Sequence, residues 1–168
     1  IEDVPDERFI PFIQKTLKSQ YTELQIFALD LIEKYPFEPF EIFVDNMVYD
    51  DEQSVKVKAF QVLIRKKDNF LEMGEAYLNH ENIKIKMALL TALSLESKNF
   101  PEIFTNYQFP ELLEELMREQ EKMSFSDEDD TLISCSIAHI IARAKIQVLY
   151  PLLSHMIQFE EMNIKKQA

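Results

Sequence analysis

A single glycine, Gly74, serves all 168 residues of the chain. Strand-rich folds call on glycine repeatedly, at primed hairpin turns and at bulges, because only a residue without a Cβ enters the left-handed region freely. One glycine therefore points to an all-α chain of helices joined by short loops. The seven prolines agree, since most stand where helices should begin. Hydrophobic residues make up 46%, with 13 Phe and 7 Met, enough to order most of the length. A chain of this size fits one domain, residues 1–168, and can bury a core without disulfide or metal.

The stretch 50–67, DDEQSVKVKAFQVLIRKK, organises the pattern. It opens on an acidic cap, continues as an apolar helix and ends in three basic residues. Val55, Ala59, Val62 and Leu63 form one stripe, widened by Phe60 and Ile64; Ser54, Lys58, Gln61 and Arg65 form the opposite, polar line. Before it, Phe9, Ile10, Phe12, Ile13 and Leu17 predict one helix. Leu24, Phe27, Ala28, Leu31 and Ile32 predict the buried stripe of a second, capped by Thr22 and closed at Tyr35-Pro36. A helix from about Glu38 carries Phe40, Phe43, Val44, Met47 and Val48 on one face. After the central stretch come a helix at about 69–78, anchored by Phe70, Leu71, Ala76 and Tyr77, a turn at 80–82, and a helix at 83–95 apolar on most sides. Further on, the spacing predicts a short helix and connector at 99–109 and a helix at 111–122 with Pro110 as its first residue. An exposed loop at 123–130 follows, its last acidic residues capping a helix at 131–145. A final helix begins near Pro151, and 160–168 form a polar tail.

The helix pairs recur at roughly 30 residues, within the solenoid range. Leu24/Ala28, Val55/Ala59, Ile83/Met87 and Ile133/Ile137 occupy equivalent places in the second helices, and each pair must bury two apolar faces against its neighbours. The pattern resembles the HEAT-repeat family and, more loosely, armadillo-type repeats. The family's first-helix proline matches Pro11, Pro39 and Pro151; its inter-helix aspartate matches Asp50 or Asp51; its Val-Arg step matches Val55-Lys56 and Ile83-Lys84. The third pair lacks the proline, and in the fourth an insertion intervenes and Ser134 replaces the basic residue. The resemblance implies an α-α superhelix of about four to five antiparallel pairs, with second helices lining a concave face. A plain helical bundle is the competing arrangement.

A net charge of −12 disfavours nucleic acid and anionic membrane surfaces as partners. No apolar run reaches membrane-spanning length. The lone Cys135 excludes an internal disulfide and suits a reducing, cytoplasmic location. The start at Ile1 instead of Met allows the chain to be a fragment of a longer protein. Catalytic, metal and cofactor residues are not expected. His80, His139 and His155 are far apart in sequence, Cys135 and His139 sit one helical turn apart as two ligands at most, and one glycine cannot build a phosphate loop. The candidate contact residues are Lys56, Lys58, Gln61, Arg65, Lys84 and Lys86, a basic strip for an acidic peptide or phosphate. Against that use, Lys56 and Lys84 could pair with Asp50, Asp51 or Glu81 as structural links. A second charged region gathers Glu111, Glu114, Glu115, Glu119, Glu121 and 127–130, suited to a basic partner or to plain solvation. Ser124 and Ser126 precede acidic residues, a motif short enough to arise by chance. The aromatic residues Phe9, Phe12, Phe37, Phe40, Phe43, Phe70 and Tyr77 recur around first-helix starts, most of them as core anchors; one or two exposed on adjacent repeats would be the best peptide-binding hot spots. The expected function is a non-catalytic protein–protein interaction scaffold or adaptor. The alternatives are a regulatory or linker domain of a larger membrane transporter or enzyme and, against the charge, a nucleic-acid-binding helical repeat.

Overall fold

A computed structural model of the chain describes residues 6–99, 108–122, 128–151 and 153–154. Among these residues the secondary structure is helical, with no strand. The α-helices are α1 (Ile10–Leu17), α2 (Thr22–Ile32), α3 (Glu41–Met47), α4 (Gln53–Lys66), α5 (Phe70–Leu78), α6 (Ile83–Glu96), α7 (Gln108–Lys122) and α8 (Glu128–Ala144), with 3-10 turns at Glu7–Phe9 and Gln147–Leu149. No helix among the described residues is long and apolar enough to cross a membrane. The chain divides into two compact units, Ile1–Leu93 and Ser94–Ala168.

In the first unit, the second helix of each pair starts from the same device. Ser19 Oγ accepts from the Tyr21 N–H at 3.1 Å, Asp50 Oδ1 from Glu52 at 3.0 Å, and His80 Nδ1 from Asn82 at 2.9 Å. Each acceptor stands three residues before its helix, and the starts Thr22, Gln53 and Ile83 lie 31 and 30 residues apart. Such local turns hold the chain out of the helical region just ahead of the first turn. Thr22 is therefore the first helical residue and caps nothing; the polar anchor is Ser19.

The core follows the same spacing. Ala28, Ala59 and Leu89 are buried, as are Ile32, Leu63 and Leu93, on α2, α4 and α6 in turn. α1 packs on α2, α3 on α4, and α2 on α4. The small Ala28 and Ala59 sit in the second helices that meet. Polar bonds then bind successive pairs. Gln14 Nε2 donates to the Pro39 carbonyl at 2.8 Å, Gln25 Nε2 to Asp50 Oδ2 at 3.2 Å, and Gln53 Nε2 to the Lys84 carbonyl at 3.1 Å. Lys66 Nζ reaches the Glu33 carbonyl at 2.9 Å and that of Tyr35 at 3.3 Å, tying α4 to the turn that follows α2.

Two expected stripes shift. Ile13, Leu17, Ala28, Leu29 and Ile32 face inward, which turns Phe9, Phe12, Leu24 and Phe27 to solvent. On α5, Phe70 and Leu78 are buried and Tyr77 half-buried, but Ala76 is exposed.

In the second unit α7 and α8 pack together, with Leu113 and Leu116 of α7 and Ile133, Ile137, Ile140 and Ile141 of α8 buried. Pro110 is the third residue of α7, not its first. Residues 128–130 form the opening turn of α8 instead of capping a helix at 131. α8 ends with Lys145 in the left-handed region at φ 55°, and the Ile146 N–H returns to the Ile141 carbonyl at 3.1 Å. This is the six-to-one bond of a Schellman ending. Arg143 donates to the Ser94 carbonyl at 3.1 Å. Most of the expected connector at 99–109, the loop at 123–127 and the tail at 160–168 lie outside the described residues.

Candidate interaction surfaces

The basic strip splits when its side chains are followed to their ends. Lys56 is buried, and its Nζ donates to the Asp51 carbonyl at 3.2 Å, locking the turn before α4. That is a structural link, made to a backbone oxygen and not to a carboxylate. Lys58 meets Asp30 and, at 3.6 Å, Glu33; Arg65 also meets Glu33. All three pairs run from α4 to α2 or to Glu33 at its C-terminal end, and each contributes on the order of 1 kcal/mol or less because the groups are partly wet. Gln61 is half-buried on the same helix. Lys84 is exposed and Lys86 half-buried on α6, and neither forms an ion pair among the described residues. Of the six expected contact residues, these two keep a charge available to a partner.

Below α4, Lys67 sits between Asp45 at 2.9 Å and Glu41 at 3.0 Å. Burial pulls its pKa down, but the hydrogen bonds and charges of Asp45 and Glu41 outweigh that and hold it above the ordinary lysine value. Nearby, Tyr49, Tyr77 and His80 form a ring cluster, with the Tyr77 ring edge-on to Phe60 at 5.0 Å between centroids. Burial, reinforced by Tyr49 and Asp45, pushes the Tyr77 phenol up to about 12.

A different surface is apolar. Phe9, Phe12, Ile13, Phe27, Leu31 and Tyr35 line an open groove of about 320 Å³ on the α1–α2 pair. Phe12 and Phe27 are more than half exposed. The repeat spacing shows how unusual this is within the molecule. Phe9, Phe40 and Phe70 lie 31 and 30 residues apart and are 54%, 0% and 3% exposed; Leu24, Val55 and Ile85, at the same spacing, are 45%, 0% and 2% exposed. The same places are covered in the second and third pairs and open in the first. The sequence read most of these aromatics as core anchors and reserved binding for any exposed on adjacent repeats; Phe9 and Phe12 are exposed within a single repeat, and Leu24 and Phe27, assigned to the core, are exposed as well. The available signal was Phe27 itself: the equivalent position in α4 is the charged Lys58.

Elsewhere, Cys135 and His139 are both exposed on α8, and no three His, Cys, Asp or Glu among the described residues gather as a metal site. On α7, Glu114 pairs with Arg118 at 2.6 Å, while Glu111 and Glu115 are exposed. The side chains of Glu119, Glu121 and 127–130, and residues Ser124, Ser126 and His155, lie outside the described set. In comparisons with known proteins, the chain matches no family model, no curated protein and no solved structure.

Proposed function

We propose that the chain is a HEAT-like helical solenoid acting as a non-catalytic scaffold for a protein or peptide partner. One observation carries this: the same positions are buried, and the same turn is built, at spacings of 31 and 30 residues. Repetition of that kind arises when each pair buries its faces against the next. Support also comes from the order of contacts, since α2 packs on α4, and Gln53 at the start of α4 reaches the backbone of α6. Second helices that follow one another in this way form a common wall, and Lys84 and Lys86 belong to α6, the third of them. An acidic peptide segment is the partner chemistry that two available lysines favour.

Affinity capture on the immobilised chain, beside a K84E/K86E variant, tests the proposal. The scaffold reading expects at least one protein retained by the first and lost from the second. Equal recovery by both removes the α6 surface from the function. Lys56, Lys58 and Arg65 are kept out of the variant because their partners hold the fold together.

A further inference from the structure

We propose that His80 makes the start of α6 a pH-sensitive clasp, which holds while the imidazole is neutral and opens when the ring takes up a proton. The clasp is a property of the turn and stands whether or not Lys84 and Lys86 meet a partner.

The three second helices of the first unit begin from one device built on three different acceptors: the Ser19 hydroxyl, the Asp50 carboxylate and the His80 imidazole. A hydroxyl takes up no proton in mild acid, and a carboxylate ordinarily does so only near pH 4. An imidazole changes state between about pH 5 and 8. The hydrogen bond also fixes the tautomer. His80 Nδ1 accepts the Asn82 N–H at 2.9 Å, so the neutral ring carries its proton on Nε2. A second proton can go only to Nδ1, where it turns the acceptor into a donor facing a donor. The bond is then lost, and the new positive charge lies just ahead of α6, where the helix dipole opposes it.

What depends on this bond sets the third turn apart. α2 and α4 start without a side-chain cap. Ahead of α6, Asn82 Oδ1 accepts the Lys84 N–H at 2.9 Å, and the Asn82 carbonyl accepts from Ile85 at 3.1 Å and Lys86 at 3.3 Å. The Lys84 carbonyl in turn accepts from Gln53 Nε2 of α4 at 3.1 Å. His80 therefore stands first in a line of bonds that runs through Asn82 and Lys84 to α4. The ring keeps its seat when charged, because it packs on Tyr49 at 6.0 Å between centroids and an aromatic face attracts a cation. Opening is thus confined to the turn.

The other titratable groups about the ring are the phenols of Tyr49 and Tyr77 and the Asp45 carboxylate, whose charge acts on Tyr77. Glu81 and Lys84 are exposed in the turn itself. Carboxylates, phenols and ammonium groups ordinarily keep their charge between about pH 8 and 5.5, which leaves the imidazole as the group that changes.

Amide hydrogen exchange of the 168-residue chain, followed by NMR and corrected for the intrinsic effect of pH, tests the clasp. From about pH 8 to 5.5 the protection of Lys84, Ile85 and Lys86 should fall about fivefold or more, as loss of a cap implies. Gln25 and Lys56, at the equivalent places of α2 and α4, should keep theirs. His80→Asn supplies an acceptor that does not titrate and should hold the protection at both values; His80→Ala should lose it at both. Imidazole nitrogen shifts should show the proton on Nε2 at the higher pH, and the Asn82 amide signal should move in step with ring protonation. Undiminished protection of the unsubstituted chain in acid overturns the proposal without recourse to any variant. An equal fall in His80→Asn, or a neutral ring with its proton on Nδ1, overturns it as well.

Discussion

Three phenylalanines one repeat apart give the most direct measurement of what the fold does. Replacing Phe40 by alanine empties a site with no solvent access. Loss of the ring's transfer free energy plus the cavity left behind should cost about 3–5 kcal/mol. Phe70, almost as deeply buried, should cost nearly as much. Phe9 occupies the equivalent place in the first pair, but more than half of its surface is already wet and its removal closes off no void. The expected cost is below about 1 kcal/mol. For a chain of this length 1 kcal/mol corresponds to roughly 2–4 °C. The melting temperature should then fall by at least about 6 °C for Phe40→Ala and by under about 4 °C for Phe9→Ala. Far-UV circular dichroism is the assay, and urea titrations fix the free energies. If the two units melt separately, the shift belongs to the step of the first unit. Equal losses for Phe9→Ala and Phe40→Ala would refute the reasoning, because both positions would then be covered. A harmless Phe40→Ala would refute the repeat register itself.

Further outcomes follow from single contacts. Ala59 faces the interior with no solvent access, so Ala59→Asp buries an unpaired charge and should cost at least about 3 kcal/mol, visible as loss of the cooperative melt at 37 °C. Tyr77 is neutral in the fold up to about pH 12, whereas an unfolded tyrosine ionises near pH 10. Its contribution is complete below pH 10 and is lost as pH climbs from 10 to 12. The ceiling is about 2.7 kcal/mol, reduced because the ring is only half-buried. Stability measured across that range should flatten in Tyr77→Phe, leaving the smaller alkaline loss that Lys67 contributes as it gives up its proton. Lys145 holds a left-handed conformation that glycine adopts without strain, and Lys145→Gly should stabilise the second unit by about 1 kcal/mol in urea titrations.

Periodicity reveals which residues share a helix face, and for that reason α4, α5 and α6 were legible in the sequence almost to their ends. It does not reveal which face meets a neighbour. α2 is apolar on two sides, and only packing on α4 chooses Ala28, Leu29 and Ile32 over Leu24 and Phe27. Lys56 misled for a related reason. The sequence offered it either to a partner or to an acidic side chain, yet its aliphatic stem lies in the core while its ammonium finds the Asp51 backbone carbonyl. Of the expected strip, Lys58 and Arg65 are ties between helices, whereas Lys84 and Lys86 form no ion pair among the described residues. The start of α8 was displaced because acidic residues suit a first turn as well as a cap, and sequence alone does not separate the two.

The fastening of α2 to α4 also governs how the protein can be made. Every cross-pair hydrogen bond described in the first unit joins residues between 25 and 33 positions apart. Contacts this local close quickly, since little chain entropy must be surrendered before each is rewarded. Assembly can then advance with synthesis, one pair fixing the next in N- to C-terminal order. A nascent chain that has released Lys66 already holds every residue its first two helix pairs need to lock together.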